Sequence, residues 1–349
     1  MREVNLINGS DMKLNQVKDF NNFEIEVIVA LSSSNSYVPF LSTIVQSLFQ
    51  NRSDKRYYRI VILSNDITEQ NKVILYKRYK SDKFCLEFVD ISIYLNSYKF
   101  YTRDHITPMT YMRLAILDIF ENHDKVVYLD CDCIVDTDIA HLFDINIDGK
   151  YLAATKDTVM AAWMNSLEEY ADYHSVVNQK EKFQYFNAGV LLLNLKELRK
   201  DFTAKKLFDI ATARSWKWFD QDVLNYISSG KVEYLDNSWN FMAHDTRYTL
   251  PERMAPDDLF CEYKKAEGDP KIIHYAGNVL PCFCPSVARF DLFWKYARYS
   301  PYYEQILDFK NDFRRQLKRY MKYLKYLLLS RVTFGSFRAK YISKLEKLL

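Results

Sequence analysis

Two aspartates, Asp130 and Asp132, flank a single residue, Cys131, directly after the apolar run 125–129. Carboxylates spaced this way at a strand end can bring hard oxygen ligands to one cation, and such ligands suit magnesium or manganese. Such a cation would serve a substrate whose negative charge grows as a bond breaks. The diphosphate of a nucleotide sugar does this as the sugar leaves. Asp-x-Asp alone also arises in acidic turns, so the meaning of the pair rests on its surroundings.

The elements that must position the pair read as strands alternating with helices. Residues 24–32, 57–64 and 84–91 are apolar strand runs. A helix at 38–50 carries Pro39 early, and another runs from a Thr68 cap to Tyr79. A helix at 110–120 then feeds the strand 125–129. Strands at 151–155, 188–193 and 271–275 follow, with helices at 161–177, 203–213 and 221–227. This alternation predicts an α/β fold, a single Rossmann-like domain with a mostly parallel sheet whose ligands sit at the strand C-terminal ends. Asp130 and Asp132 fall at such an end.

The 349 residues divide into a domain at 22–300 and a basic helical tail at 301–349. The formal charge of +3 hides an asymmetry, because 310–349 carry twelve Lys or Arg against Asp312 and Glu346, leaving −7 for the remainder. Phe309, Phe313, Leu317, Tyr320 and Leu324 recur near helical spacing among these cations. The tail therefore reads as a basic amphipathic helix for an anionic membrane surface, or one packed on the domain. Nothing here reads as a specific nucleic-acid module. Six cysteines without zinc-finger spacing, no opening apolar segment and no run long enough to span a bilayer point to a cytoplasmic protein.

Four blocks raise the specificity of the acidic pair. KVVYLDCDCIV at 125–135, FNAGVLLLNL at 186–195, FDQDVLN at 219–225 and HYAG at 274–277 occur in that order. Together, across about 25–281, the chain resembles glycosyltransferase family 8, which includes bacterial lipopolysaccharide galactosyl- and glucosyltransferases and, more distantly, glycogenin. The resemblance implies a GT-A type nucleotide-sugar-binding fold, Mn2+ or Mg2+ as cofactor, a UDP-hexose donor and transfer with retained anomeric configuration. It implies Asp130, Asp132 and His274 as metal ligands, with Cys131 between the acids at the donor.

By the same resemblance Arg113 contacts the donor, Gly277 lets the backbone approach the diphosphate, and Asn187, Ala188, Asp157, Asp220 and Gln221 hold the transferred hexose. Gln221 lies nearest the sugar face opposite the leaving group. As an amide is a poor nucleophile, a same-face mechanism is favoured over a covalent glycosyl-enzyme, with Asp157 and Asp222 as lesser nucleophile candidates. The acceptor is expected to be a glycan or glycolipid of the cell surface. Alternatives are self-glucosylation on a tyrosine and a catalytically silent sugar-nucleotide or glycan-binding module.

Two departures from the family pattern stand out. An Asp expected before the first-loop Tyr is replaced by the serine-rich run 32–36, leaving Ser34, Asn35 and Tyr37 as candidate base or ribose contacts. The family lysine after HYAG is Leu280 here, and losing such a cation costs on the order of 3 kcal/mol of transition-state stabilisation.

Overall fold

Runs of Val, Ile and Leu bounded by polar turns become strands, ten of them among the described residues. They are β1 Glu26–Ser32, β2 Tyr57–Ser64, β3 Phe84–Asp90, β4 Lys125–Asp130, β5 Cys133–Val135, β6 Leu152–Thr155, β7 Val190–Asn194, β8 Val232–Leu235, β9 Phe241–Met242 and β10 Ile272–His274. The computed structural model describes residues 26–101, 108–247, 251–277 and 279–311, with isolated positions beyond. Most of the basic tail expected to be helical thus lies outside the described residues.

Seven strands form one sheet in the order β3-β2-β1-β4-β7-β6-β8. Neighbours are parallel except at β7, which runs antiparallel to both β4 and β6. The sheet is therefore mostly parallel, as the strand and helix alternation predicts. All five residues of β7 and four of six in β4 are buried, which is why these strands read as unbroken apolar runs. A second sheet, β5-β10-β9, has β10 antiparallel to β5 and parallel to β9. Its strands have two or three residues each, too short to stand out in sequence.

Helix Val38–Asn51 buries eleven of its fourteen residues. Helix Glu69–Tyr79 begins where the Thr68 hydroxyl accepts from the Asn71 N–H, the expected cap. Helices Phe290–Ala297 and Tyr303–Asn311 end the continuously described stretch. Phe309 stacks on Phe40, Ser300 Oγ bonds Ser42 Oγ at 2.9 Å, and Ile306 is fully buried.

Two expected helices are interrupted. The one predicted at 161–177 is instead Thr158–Ser166, a 3₁₀ turn Glu168–Tyr170 and a short helix Tyr173–Val176. Ser166 Oγ bonds back to the Ala162 carbonyl, Leu167 turns extended, and Tyr170 and Tyr173 fold onto Met160 and Trp163 as a separate small core. The one predicted at 110–120 is a 3₁₀ segment, Pro108–Ala115, then Ile116–Ile119. Tyr111 through Leu117 are all buried, so this segment has no solvent face to define an amphipathic helix. Among the described residues, no helix is long and apolar enough to cross a membrane.

Candidate functional site

Strand order brings distant motifs to one edge. Asp130 ends β4 in register with Ser32 of β1, and on the other side its N–H donates to the Gly189 carbonyl at 2.8 Å. In the small sheet His274 of β10 lies opposite Cys133 of β5, and the Tyr275 N–H donates to the Asp132 carbonyl at 2.9 Å. The FNAG and HYAG segments thus both lean on the Asp130-Cys131-Asp132 turn.

The side chains of Asp130, Asp132 and His274 converge. His274 Nε2 stands 3.1 Å from Asp132 Oδ1 and 3.9 Å from Asp130 Oδ2. Buried Asp132 Oδ1 has no aligned hydrogen bond. His274 Nδ1 faces Asn240 Oδ1 at 3.1 Å, while Asn240 Nδ2 donates to Asn187 Oδ1 at 2.9 Å. With its amide so oriented, Asn240 presents an acceptor, and Nδ1 is the protonated nitrogen. The Nε2 lone pair is then aimed at the two carboxylates, the orientation a metal-ligating histidine needs.

Burial lowers the His274 pKa, but Asp132 and Asp130 together raise it above its ordinary value. A side chain at Gly189 would run into His274 Cε1 and stand 3.0 Å from Asp130 Oδ2, so only glycine lets these groups approach. Two carboxylates and one imidazole around space that a Cβ would fill suit a divalent cation of the manganese or magnesium type.

Arg113 is the buried cation of the site. Its Nη2 lies 2.9 Å from Asp130 Oδ1, its Nε 2.7 Å from Asp220 Oδ2, and its Nη1 donates to the Ala188 carbonyl. The guanidinium also sits over the Tyr128 ring at 4.3 Å, and the Tyr128 hydroxyl donates to Asp130 Oδ1 at 2.9 Å. Asp130 is thereby held by one oxygen while the other faces His274. Burial pushes the Asp220 carboxyl up to about 6 against the opposing pull of Arg113 and the Thr110 hydroxyl.

A continuous network joins the expected hexose-binding residues. Asp157 caps helix Thr158–Ser166 by accepting from the Met160 N–H at 2.9 Å. Its other oxygen accepts from Asn187 Nδ2 at 3.3 Å and Gln221 Nε2 at 3.2 Å. Gln221 Oε1 accepts from the Ala188 N–H at 3.0 Å. Burial raises the Asp157 pKa despite these donors. Phe219, just before Asp220 and Gln221, has φ of 54°, a left-handed conformation that costs a non-glycine residue about 1 kcal/mol or more. Asp222 accepts from the Tyr173 and Tyr185 hydroxyls and the Trp218 N–H, which fits a structural part.

The first loop lies beside this centre. Asn35 Oδ1 accepts from the Thr68 N–H and Asn71 Nδ2, and its own N–H donates to Asp66 Oδ1 at 2.8 Å. Ser34 Oγ pairs with Ser36 Oγ at 3.0 Å. Tyr37 is half-buried on Phe40, its phenol pKa pushed well up by burial and by nearby Asp132. The Cys131 thiol turns inward to the Ser32 carbonyl, so any donor contact there falls to its backbone. Gly277 has φ of 78°, a turn only glycine adopts freely. Leu280, 2% exposed, packs with Cys282, Cys284 and Phe293 and presents no charge.

Several contributors escape sequence reading. Asn240 sits in a stretch whose visible signal is aromatic, Trp239 and Phe241. Gly189 and Tyr128 look like core. Cys133 reads as strand, yet its sulfur, an Asp132 oxygen and a His274 nitrogen all lie within 4.8 Å of one another. Glu252, 3% exposed, is pushed up to about 7 by burial and by Asp157.

Comparison with known proteins places the chain in a family. The family model described as glycosyl transferase family 8 matches residues 28–281. A putative glycosyltransferase of Haemophilus influenzae (strain ATCC 51907 / DSM 11121 / KW20 / Rd) is 31% identical over 222 residues, covering 62% of this chain and 64% of that protein. The chain thus matches somewhat less than two thirds of that relative's length. A lipopolysaccharide 1,2-glucosyltransferase of Escherichia coli (strain K12) is 30% identical over 162 residues, 45% of this chain and 44% of that one. The apo structure of the bifunctional glycosyltransferase WbbM superposes with a TM-score of 0.73 at 26% identity, covering 82% of this chain and 52% of that one.

Proposed function

Because the chain belongs to glycosyl transferase family 8, we propose that it transfers galactose or glucose from a UDP-sugar to a glycan acceptor of the cell surface, with retention of configuration. Convergence of Asp130 Oδ2, Asp132 Oδ1 and His274 Nε2 over Gly189 is the observation that carries this reading. These three residues would hold a divalent cation, Mn2+ or Mg2+, and that ion would neutralise charge growing on the diphosphate. The relative named as a lipopolysaccharide glucosyltransferase supports the acceptor class. The basic tail would bring the enzyme to an anionic membrane on the cytoplasmic side.

The remaining residues bind and orient. Asn240 keeps the His274 lone pair toward the carboxylates, and Arg113 fixes Asp130 and Asp220 together. The Asp157, Asn187 and Gln221 network presents oxygens and amides to sugar hydroxyls. Asp157 already accepts three N–H groups and Asp220 is paired with Arg113, so neither is a ready nucleophile. Gln221 is an amide, and the same-face route follows, with the leaving phosphate taking the acceptor proton.

Leu280 favours a second reading, a domain that binds donor without turnover, because its buried apolar setting supplies no cation to the leaving group. One experiment separates the two. Hydrolysis of a panel of nucleotide sugars without acceptor is measured with manganese, for wild type, Asp132→Ala and His274→Ala. Consumption of one UDP-hexose by wild type alone supports the transferase. Manganese-dependent binding without consumption, with or without a glycan panel, supports the silent module. Absence of any nucleotide-sugar binding contradicts both.

A further inference from the structure

The centre that would hold a hard cation carries a soft ligand at its base. Cys133 and His274 are directly paired across β5 and β10, and residues opposite one another in an antiparallel pair project to the same face. The Cys133 sulfur, an Asp132 oxygen and a His274 nitrogen lie within 4.8 Å of one another, and Asp130 Oδ2 stands 3.9 Å from His274 Nε2. Ligands on one tetrahedral ion stand roughly 3.3 to 3.8 Å apart, a modest contraction from this arrangement. His274 is 4% exposed, and Asp132 Oδ1 is buried without an aligned hydrogen bond, so both have reason to close on a cation.

Magnesium and manganese would leave the thiol aside, since hard ions prefer oxygen. Zinc and cadmium favour thiolate and imidazole. We propose that Cys133 converts this centre into a thiophilic trap. With Zn2+ or Cd2+ the Cys133 S–H bond breaks, a sulfur–metal bond forms and the proton passes to buffer. No electron is transferred. Asp132, Cys133 and His274 then hold the ion through three protein ligands, a set in which the thiolate stands where the working site would use the Asp130 carboxylate. The inference rests on the metal-centred reading above and adds that thiophilic ions compete with and displace the working cation.

The test uses the full chain and three cations. Manganese binding is followed by loss of the free-ion spin-resonance signal. Cobalt and cadmium binding are followed by the thiolate-to-metal charge-transfer absorption. Wild type is expected to show that absorption in equal proportion to bound ion, and Cys133→Ser, a near isostere, to lose it. Cadmium affinity should fall roughly tenfold or more in the variant while manganese affinity changes less than about twofold. Cys133→Val gives the same comparison should the serine variant fail to fold. Bound manganese together with cadmium binding that lacks the absorption, or that is unaltered in both variants, overturns the trap and leaves the metal centre standing. Equal manganese binding by wild type and Asp132→Ala instead removes the metal centre itself.

Discussion

The two halves of the site are finished to different degrees. Around Asp157, Asn187 and Gln221, the amides and carboxylates donate to or accept from one another, so this half is complete without a guest. Around Asp132 and His274, lone pairs face each other at 3.1 Å and an oxygen is left without an aligned partner. The first half is preorganised protein, and the second is a set of ligands waiting on a positive charge. Removing a group from the first should therefore cost the fold, whereas removing one from the second should cost binding and leave the fold intact.

The largest effect expected on this contrast is at Asp132. Asp132→Asn should lower manganese-dependent turnover of the nucleotide sugar by about 1000-fold or more. The thermal midpoint should stay the same or rise, because the carboxylate facing the His274 nitrogen lone pair is neutralised. Steady-state rates with paired melting curves check both.

Arg113 bridges the two halves and should behave in the opposite way. Arg113→Met leaves buried Asp220 and half-buried Asp130 without their cation, and a loss of about 3 to 5 kcal/mol is expected in urea unfolding. An Arg113→Met variant as stable as wild type would erase the distinction drawn here.

Asn240 sharpens the contrast because it touches both halves. Asn240→Ala should weaken manganese affinity roughly 10- to 100-fold by freeing the His274 ring, with a smaller loss in stability. Spin-resonance titration of the variant measures the first.

Glu252 offers the smallest effect and a pH signature. Its carboxyl is raised to about 7 from an ordinary 4.5, so the folded state holds the proton more tightly than the unfolded chain. Stability from this group is present below about pH 4.5 and is lost as the pH rises through about 7. Glu252→Gln should remove that slope and gain about 2 kcal/mol at pH 8, with little change at pH 4. Melting curves across that range decide it.

These residues also mark how far the sequence could be read. β1, β2 and β4 and their helices were legible because runs such as Val126–Leu129 are apolar on both faces and end in polar turns. Asp130 and Asp132 were legible because they are neighbours in the chain, and His274 because its motif is local. Asn240 was not, since its value lies in two contacts made 34 and 53 residues away. Nor was Cys133, because only the pairing of β5 with β10 sets it opposite His274. Gly189 and Tyr128 act through close approach and through a hydroxyl behind a buried ring, and neither leaves a periodic signal. The helix expected at 161–177 failed for a related reason. Its aromatic residues have helical spacing, but they satisfy it by folding back on Trp163 rather than by continuing the helix.

The central claim is that Asp130, Asp132 and His274 hold a cation that in turn holds the donor. Calorimetric titration of UDP into the wild type and Asp132→Asn, each with and without manganese, tests it most directly. The account predicts strong binding in one case only, wild type with manganese. Equal UDP affinity without the metal, or in the variant with it, would contradict the claim, since the donor would then be held by groups other than these three.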